Sequence, residues 1–160
     1  MMKAPEKLGS EYYRGFLTRQ GQAFYDRINT QLLRGDYSGK TTFSLSNPET
    51  SASDGFAAYK AIRDDRPEFF FLGYQSEFTR RDRTGTLEYP ILYTPDIINR
   101  IQQQMRKSIY RIVRGTAGLS MLEREVLVYE RIAKKLAYTN NGDVRDHSIV
   151  GPILQSEGVC

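Results

Sequence analysis

The sequence predicts an α+β fold on two observations: apolar residues recur at helical spacing near both ends of the chain, and β-forming runs with a hairpin-type turn cluster between them. With 160 residues the chain fits one domain, long enough to bury roughly two-thirds of its unfolded surface. No interior linker or repeat divides it, so residues 1–160 read as a single α+β domain, with 148–160 as the start of a further core.

From the N-terminus, Ser10 is placed to cap a long first helix, along which Tyr13, Phe16 or Leu17, Gln20, Phe24, Ile28 and Leu32 form one stripe. Gly35-Asp36 ends it. Gly15 and Gly21 would each cost about 1 kcal/mol inside a helix relative to Ala, so this helix depends on docking. Lys40–Leu45 (KTTFSL) reads as a strand, stopped by Asn47-Pro48. A short helix capped by Asp54 follows, burying Phe56, Ala57, Tyr59, Ala61 and Ile62, and ends at Arg66-Pro67.

Glu68–Thr79 and Thr86–Tyr93 then read as two strands of an antiparallel hairpin around Arg80–Gly85, with Pro90 marking an edge or a bulge. The run Phe69-Phe70-Phe71-Leu72 suggests a strand covered on both faces, at the sheet centre. Thr94-Pro95-Asp96 starts the next helix, striped by Ile97 or Ile98, Ile101, Met105, Ile109 and Ile112. Gly115 and Gly118 break it. Ser120 and Glu123 form a capping box for a last long helix, whose buried stripe is read as Leu122, Val126, Tyr129, Ala133 and Leu136. These two helices are expected to form a hairpin. Thr139–His147 is a polar loop, and Ser148–Cys160 a brief apolar segment.

Composition excludes several classes. One cysteine and one histidine leave no internal disulfide and too few soft ligands for structural zinc, so neither cofactor nor metal is expected. The 23 basic against 19 acidic residues give a surplus of only four, weak evidence for a polyanionic partner. No run is long and apolar enough to span a membrane, and the start lacks a signal-peptide core, so the chain as given reads as cytoplasmic, with an extracellular or cell-surface parent left open.

The stretch Ala58-Tyr-Lys-Ala-Ile-Arg-Asp64, then Arg66-Pro-Glu-Phe-Phe70, and the tail His147-Ser-Ile-Val-Gly-Pro-Ile-Leu-Gln-Ser-Glu-Gly-Val-Cys160 resemble bacterial transglutaminase-like proteins, relatives of the papain-like cysteine proteases. The resemblance covers most of the chain. It implies that these residues are the N-terminal portion of such a protein, truncated at the start of its papain-like core, with Cys160 at the nucleophile position of Gly158-Val159-Cys160. In such a site a thiolate attacks a carbonyl of a peptide or protein substrate. A helix following the cysteine and a downstream histidine, oriented by Asp or Asn, lower the thiol pKa. Those partners would lie after Cys160, so the 160 residues alone are expected to be inert. The family's His-Asp pair before the active-site loop is replaced here by Val128-Tyr-Glu-Arg131.

Other features have plainer readings. His147, beside Asp143, Arg145 and Asp146, reads as a solvated loop histidine; Gln155 is offset by about one position from the oxyanion glutamine of papain-like enzymes. Arg80, Arg81, Arg83, Lys107, Arg111 and Arg114, with Tyr74, Phe78, Tyr89 and Tyr93 as stacking candidates, carry no recognition motif, and no nucleic-acid partner is expected. Gly35–Thr41 has three residues where a phosphate-binding loop needs four. The alternative to the enzyme reading is a non-catalytic protein- or peptide-binding module, using a sheet edge near Pro90. Apolar residues Ile149, Val150, Ile153 and Leu154 are expected to favour self-association.

Overall fold

In the computed structural model, which describes residues 10–45, 52–138, 149–155 and 157–158, the first long helix starts at Thr18 rather than Ser10. Tyr13–Phe16 forms a separate 3₁₀ turn, and helix α1 runs Arg19–Leu33. Thr18 Oγ1 accepts the Gly21 N–H at 3.0 Å and donates to Asp54 Oδ1 at 2.6 Å, so one hydroxyl caps α1 and ties it to the next helix. A Cβ on Gly21 would lie 3.2 Å from Leu17 Cβ and 3.3 Å from Thr18 Oγ1. The glycine that weakens α1 in isolation therefore leaves room for its own capping turn. Gly35, at φ 77°, ends α1 as foreseen: its N–H bonds to Leu32 O and that of Asp36 to Gln31 O.

The chain divides into two compact units, residues 1–95 and 96–160. The first holds α1, strand β1 (Lys40–Ser44), helix α2 (Ala52–Asp65), a 3₁₀ turn at Pro67–Phe69, and strands β2 (Glu77–Arg81) and β3 (Thr84–Glu88). All three strands are antiparallel in the order β1-β3-β2, with Thr41 opposite Leu87 and Phe78 opposite Leu87 on the two sides of β3. The hairpin is as expected in kind but tighter, turning on Asp82-Arg83 alone, with Asp82 at φ 53°.

The phenylalanine run is not the sheet centre. Phe69, Phe70, Phe71 and Leu72 are all buried, but they form a turn and an isolated bridge from Leu72 to Ile91, and the strand proper begins only at Glu77. Four successive apolar side chains can be buried by a tight turn as well as by a two-sided strand. Pro90 lies just past β3, where its carbonyl accepts the Gly73 N–H at 3.0 Å. The core joins Phe24, Tyr25, Ile28 and Leu32 of α1 to Tyr59 and Ile62 of α2 and to Phe43 and Leu87 of the sheet. Phe56 and Ala57, expected inside, are exposed.

Phe78 shows how tightly the sheet and α2 meet. Its ring lies between two glycines: a Cβ on Gly85 would come within 2.5 Å of Phe78 Cζ, and one on Gly55 within 3.0 Å of its Cδ2.

In the second unit, α3 (Pro95–Val113) begins with proline at its first position and Asp96 in its first turn. Ile98 and Met105 are buried and Ile101, Ile109 and Ile112 half-buried, which is the foreseen stripe, whereas Ile97 faces out. Gly115 and Gly118 take φ of 78° and 88°, and α4 (Met121–Ala133) opens with the expected capping box. Ser120 Oγ accepts the Glu123 N–H, and the Glu123 carboxylate accepts the Ser120 hydroxyl at 2.6 Å and the Ser120 N–H at 2.8 Å; the hydroxyl bond first, and then the N–H bond, hold the Glu123 pKa below its ordinary value. The α4 stripe, however, is inverted. Leu122, Val126, Tyr129, Ala133 and Leu136 are all exposed, and Leu127, Val128, Arg131 and Ile132 are the less exposed residues.

Candidate functional site

The chain reaches the cysteine position through a short parallel pairing. After α4, β4 (Ala137–Tyr138) pairs with β5 (Glu157–Gly158), Ala137 opposite Glu157 and Tyr138 opposite Gly158. Between them Gly151–Gln155 forms a single π-helical turn, with the Ile153 N–H bonded to Ile149 O at 3.3 Å. Val150 and Gly151 are buried and Ile149, Ile153 and Leu154 half-buried, so this segment does not offer the exposed apolar surface expected of it. Gln155 ends the turn and is exposed. Cys160 and His147 lie outside the described residues; in sequence Cys160 follows β5 by two positions.

The solvent face of the sheet is a polar grid in register: Lys40, Glu88 and Glu77 form one row, Thr42, Thr86 and Thr79 the next, Ser44, Thr84 and Arg81 the third. Lys40 Nζ pairs with Glu88 Oε1 at 3.0 Å, and a shallow depression over this face is lined by Thr79, Arg81, Asp82, Arg83, Thr84 and Thr86. The aromatic residues considered for base stacking are elsewhere. Tyr89 is buried with its hydroxyl 3.0 Å from Thr41 Oγ1, Phe78 is wedged between glycines, and Tyr74 lies beneath the Arg63 guanidinium at 3.8 Å. Within the first unit, Phe78 and Tyr89 are therefore not open for stacking beside Arg80, Arg81 and Arg83.

The sheet has two edges. On the outer side of β1 the Lys40 carbonyl accepts Gln31 Nε2 at 2.8 Å, so α1 covers that end. β2 is the other edge, and its residues other than Phe78 are exposed. The bonds from Tyr89 N–H to Gly39 O and from Leu45 N–H to Arg83 O fix the alternation across β3. By that alternation the backbone groups of Glu77, Thr79 and Arg81 face β3, and those of Phe78 and Arg80 face the outer edge.

Sequence reading missed a buried charged cluster. Arg63-Asp-Asp-Arg-Pro-Glu68 looks like a solvated run, yet Asp65, Arg66 and Glu68 are buried. Arg66 Nε and Nη2 both lie 2.7 Å from Glu68 Oε1, and the guanidinium sits over the Phe69 ring at 5.3 Å. Asp65 accepts the N–H groups of Tyr13 and Arg14 at 2.9 and 3.0 Å, so a carboxylate at the end of α2 caps the 3₁₀ turn before α1. Burial, reinforced by the nearby Asp65 carboxylate, pushes the Tyr25 phenol well above its ordinary pKa. Proline at 67 is the only hint in the sequence, since it forces a turn that can fold Glu68 back onto Arg66.

Among the described residues no cluster of three or more His, Cys, Asp or Glu is placed to hold a metal ion, and no helix is long and apolar enough to cross a membrane. No protein-family model matches the chain, and a search of curated proteins likewise finds no match.

Proposed function

We propose that the chain carries the nucleophile position of a transglutaminase-like acyl-transfer site at Cys160, reached through the segment 149–158. The observation that carries this reading is the parallel pairing of residues 137–138 with 157–158, which ties the residues just before Cys160 to the chain leaving α4. The Gly158-Val159-Cys160 sequence supports it further. The thiolate attacks the carbonyl carbon of a peptide or glutamine side-chain amide; the amine leaves with a proton, and the thioester passes its acyl group to water or an amine. The imidazole and orienting group that this chemistry needs follow the cysteine in the family. Without those groups a cysteine keeps an ordinary thiol, with a pKa of about 8.5.

The test is the pH dependence of Cys160 alkylation, together with the gene sequence beyond codon 160. An ordinary thiol here, with a downstream histidine and acid encoded, supports the proposal. A strongly acidic thiol in the 160-residue chain, or a native stop codon at that point, refutes it.

A second reading, as a peptide-binding module, is favoured by the β2 edge, where Phe78 and Arg80 direct backbone groups outward. Titration with extended peptides should then shift the Phe78 and Arg80 amide resonances first. Unmoved resonances on β2 would refute it.

A further inference from the structure

Helix α3 and the residue after it carry the chain's whole excess of positive charge. Residues 95–114 hold five basic residues, Arg100, Arg106, Lys107, Arg111 and Arg114, and one acid, Asp96, which equals the surplus of four in the full sequence. At about 100° per residue, Lys107 stands opposite the buried Ile98, and Arg100, Arg111 and Arg114 lie within about 40° of Lys107. These four are all exposed, and at about 1.5 Å per residue the stripe from Arg100 to Arg114 is about 21 Å long. Gln103 and Tyr110, both exposed, border it. Among the described residues none of the four cations is held in an ion pair, in contrast to Arg14, Lys40, Arg66 and Lys134. Asp96 lies on the same side, one turn before Arg100, at the positive end of the helix.

We propose that this stripe binds the phosphate backbone of duplex DNA. Spread over 160 residues, a surplus of four is weak evidence for a polyanion; gathered on one exposed side of a helix, it is an electrostatic footprint. Three of the four cations are arginines, whose planar forks match phosphate oxygens two bonds at a time. The form of the row selects the partner. A duplex presents one charge per about 1.7 Å of its axis, so a straight row of cations meets phosphates in any register. An acidic protein would need carboxylates at matching intervals. A bilayer fits poorly because a surface-bound helix lays its apolar side into the lipid, and here Ile98 and Met105 are buried within the protein. The hairpin tip is the other basic region, but there Asp82 separates Arg81 from Arg83, and Glu77 and Glu88 lie on the same sheet face. The stripe on α3 holds no acid between its cations.

Fluorescence anisotropy of the 160-residue chain with a short fluorescein-labelled DNA duplex tests this. The expected dissociation constant is on the order of 10 μM at about 100 mM salt. Four phosphate contacts give a log–log salt slope of about −3.6, so affinity should fall roughly 150-fold between about 50 and about 200 mM salt. Lys107→Gln with Arg111→Gln should halve that slope and weaken binding by about 10-fold or more, leaving the circular dichroism unchanged because both residues are exposed. Arg81→Gln with Arg83→Gln removes the same charge from the hairpin tip and should leave the slope unchanged. No binding at on the order of 100 μM protein in about 50 mM salt, an equal loss of slope in both double variants, or tighter binding to phosphatidylserine vesicles or to poly-glutamate than to the duplex would overturn the proposal.

Discussion

Replacing Glu68 by alanine removes the carboxylate that holds Arg66, whose side chain is 0% exposed. Glu68 Oε1 accepts from Nε at 2.7 Å and lies 2.7 Å from Nη2 as its counter-charge, so the deletion leaves a buried cation facing the Phe69 ring. Breaking a buried ion pair from one side costs about 3–5 kcal/mol, a large part of the 5–15 kcal/mol that stabilises a typical domain. With a urea dependence of about 1–3 kcal/mol per molar, the midpoint should fall by roughly 1–5 M. Removing both partners behaves differently. Arg66→Met with Glu68→Leu eliminates two desolvation penalties along with the attraction, and should be less destabilising than Glu68→Ala alone. The chain has no tryptophan, so unfolding is followed by tyrosine fluorescence and circular dichroism, with Phe69–Leu72 amide resonances reporting on the first unit. A loss below about 1 kcal/mol for Glu68→Ala would show that Arg66 escapes to water, and the reasoning would fail.

Asp65→Ala should cost about 1–3 kcal/mol by stranding two amides, seen as faster hydrogen exchange at Tyr13 and Arg14, while Asp65→Asn should keep part of the protection. Gly85→Ala places a methyl within 2.5 Å of Phe78 Cζ and should cost about 1–3 kcal/mol in chemical denaturation, partly recovered by Phe78→Leu. Tyr25, Tyr59 and Tyr89 all have their phenol pKa raised by burial, so the unfolded chain ionises first. Their contribution is therefore full below the unfolded pKa of about 10 and declines as pH rises above it. Ultraviolet titration should show these phenolates appearing only with unfolding.

Local chemistry was legible in the sequence wherever one residue decides the backbone. Gly35, Pro95, the Ser120–Glu123 box and the breaks at Gly115 and Gly118 all act as read. Errors arose where a pattern had two physical solutions. Thr18 outcompetes Ser10 as a cap because its hydroxyl also meets Asp54, a contact 36 residues away. The phenylalanine run is buried by a turn instead of a strand, because Pro67 and the Arg66–Glu68 pair bend the chain there. For the candidate site, Cys160 is legible as a residue type and spacing, whereas the sheet order that makes β2 an edge depends on β1 returning across 40 residues to pair with β3.

The inverted helix shows why periodicity alone cannot orient an element. A stripe states that one side of α4 prefers to leave water; it does not state what removes it from water. What turns α4 is a polar contact on the opposite side, where Arg131 meets the last carbonyls of α3, groups that any helix end leaves in need of a donor. A guanidinium satisfying two such carbonyls fixes the rotation without burying an apolar side chain of α4, and the better-patterned side is left outward.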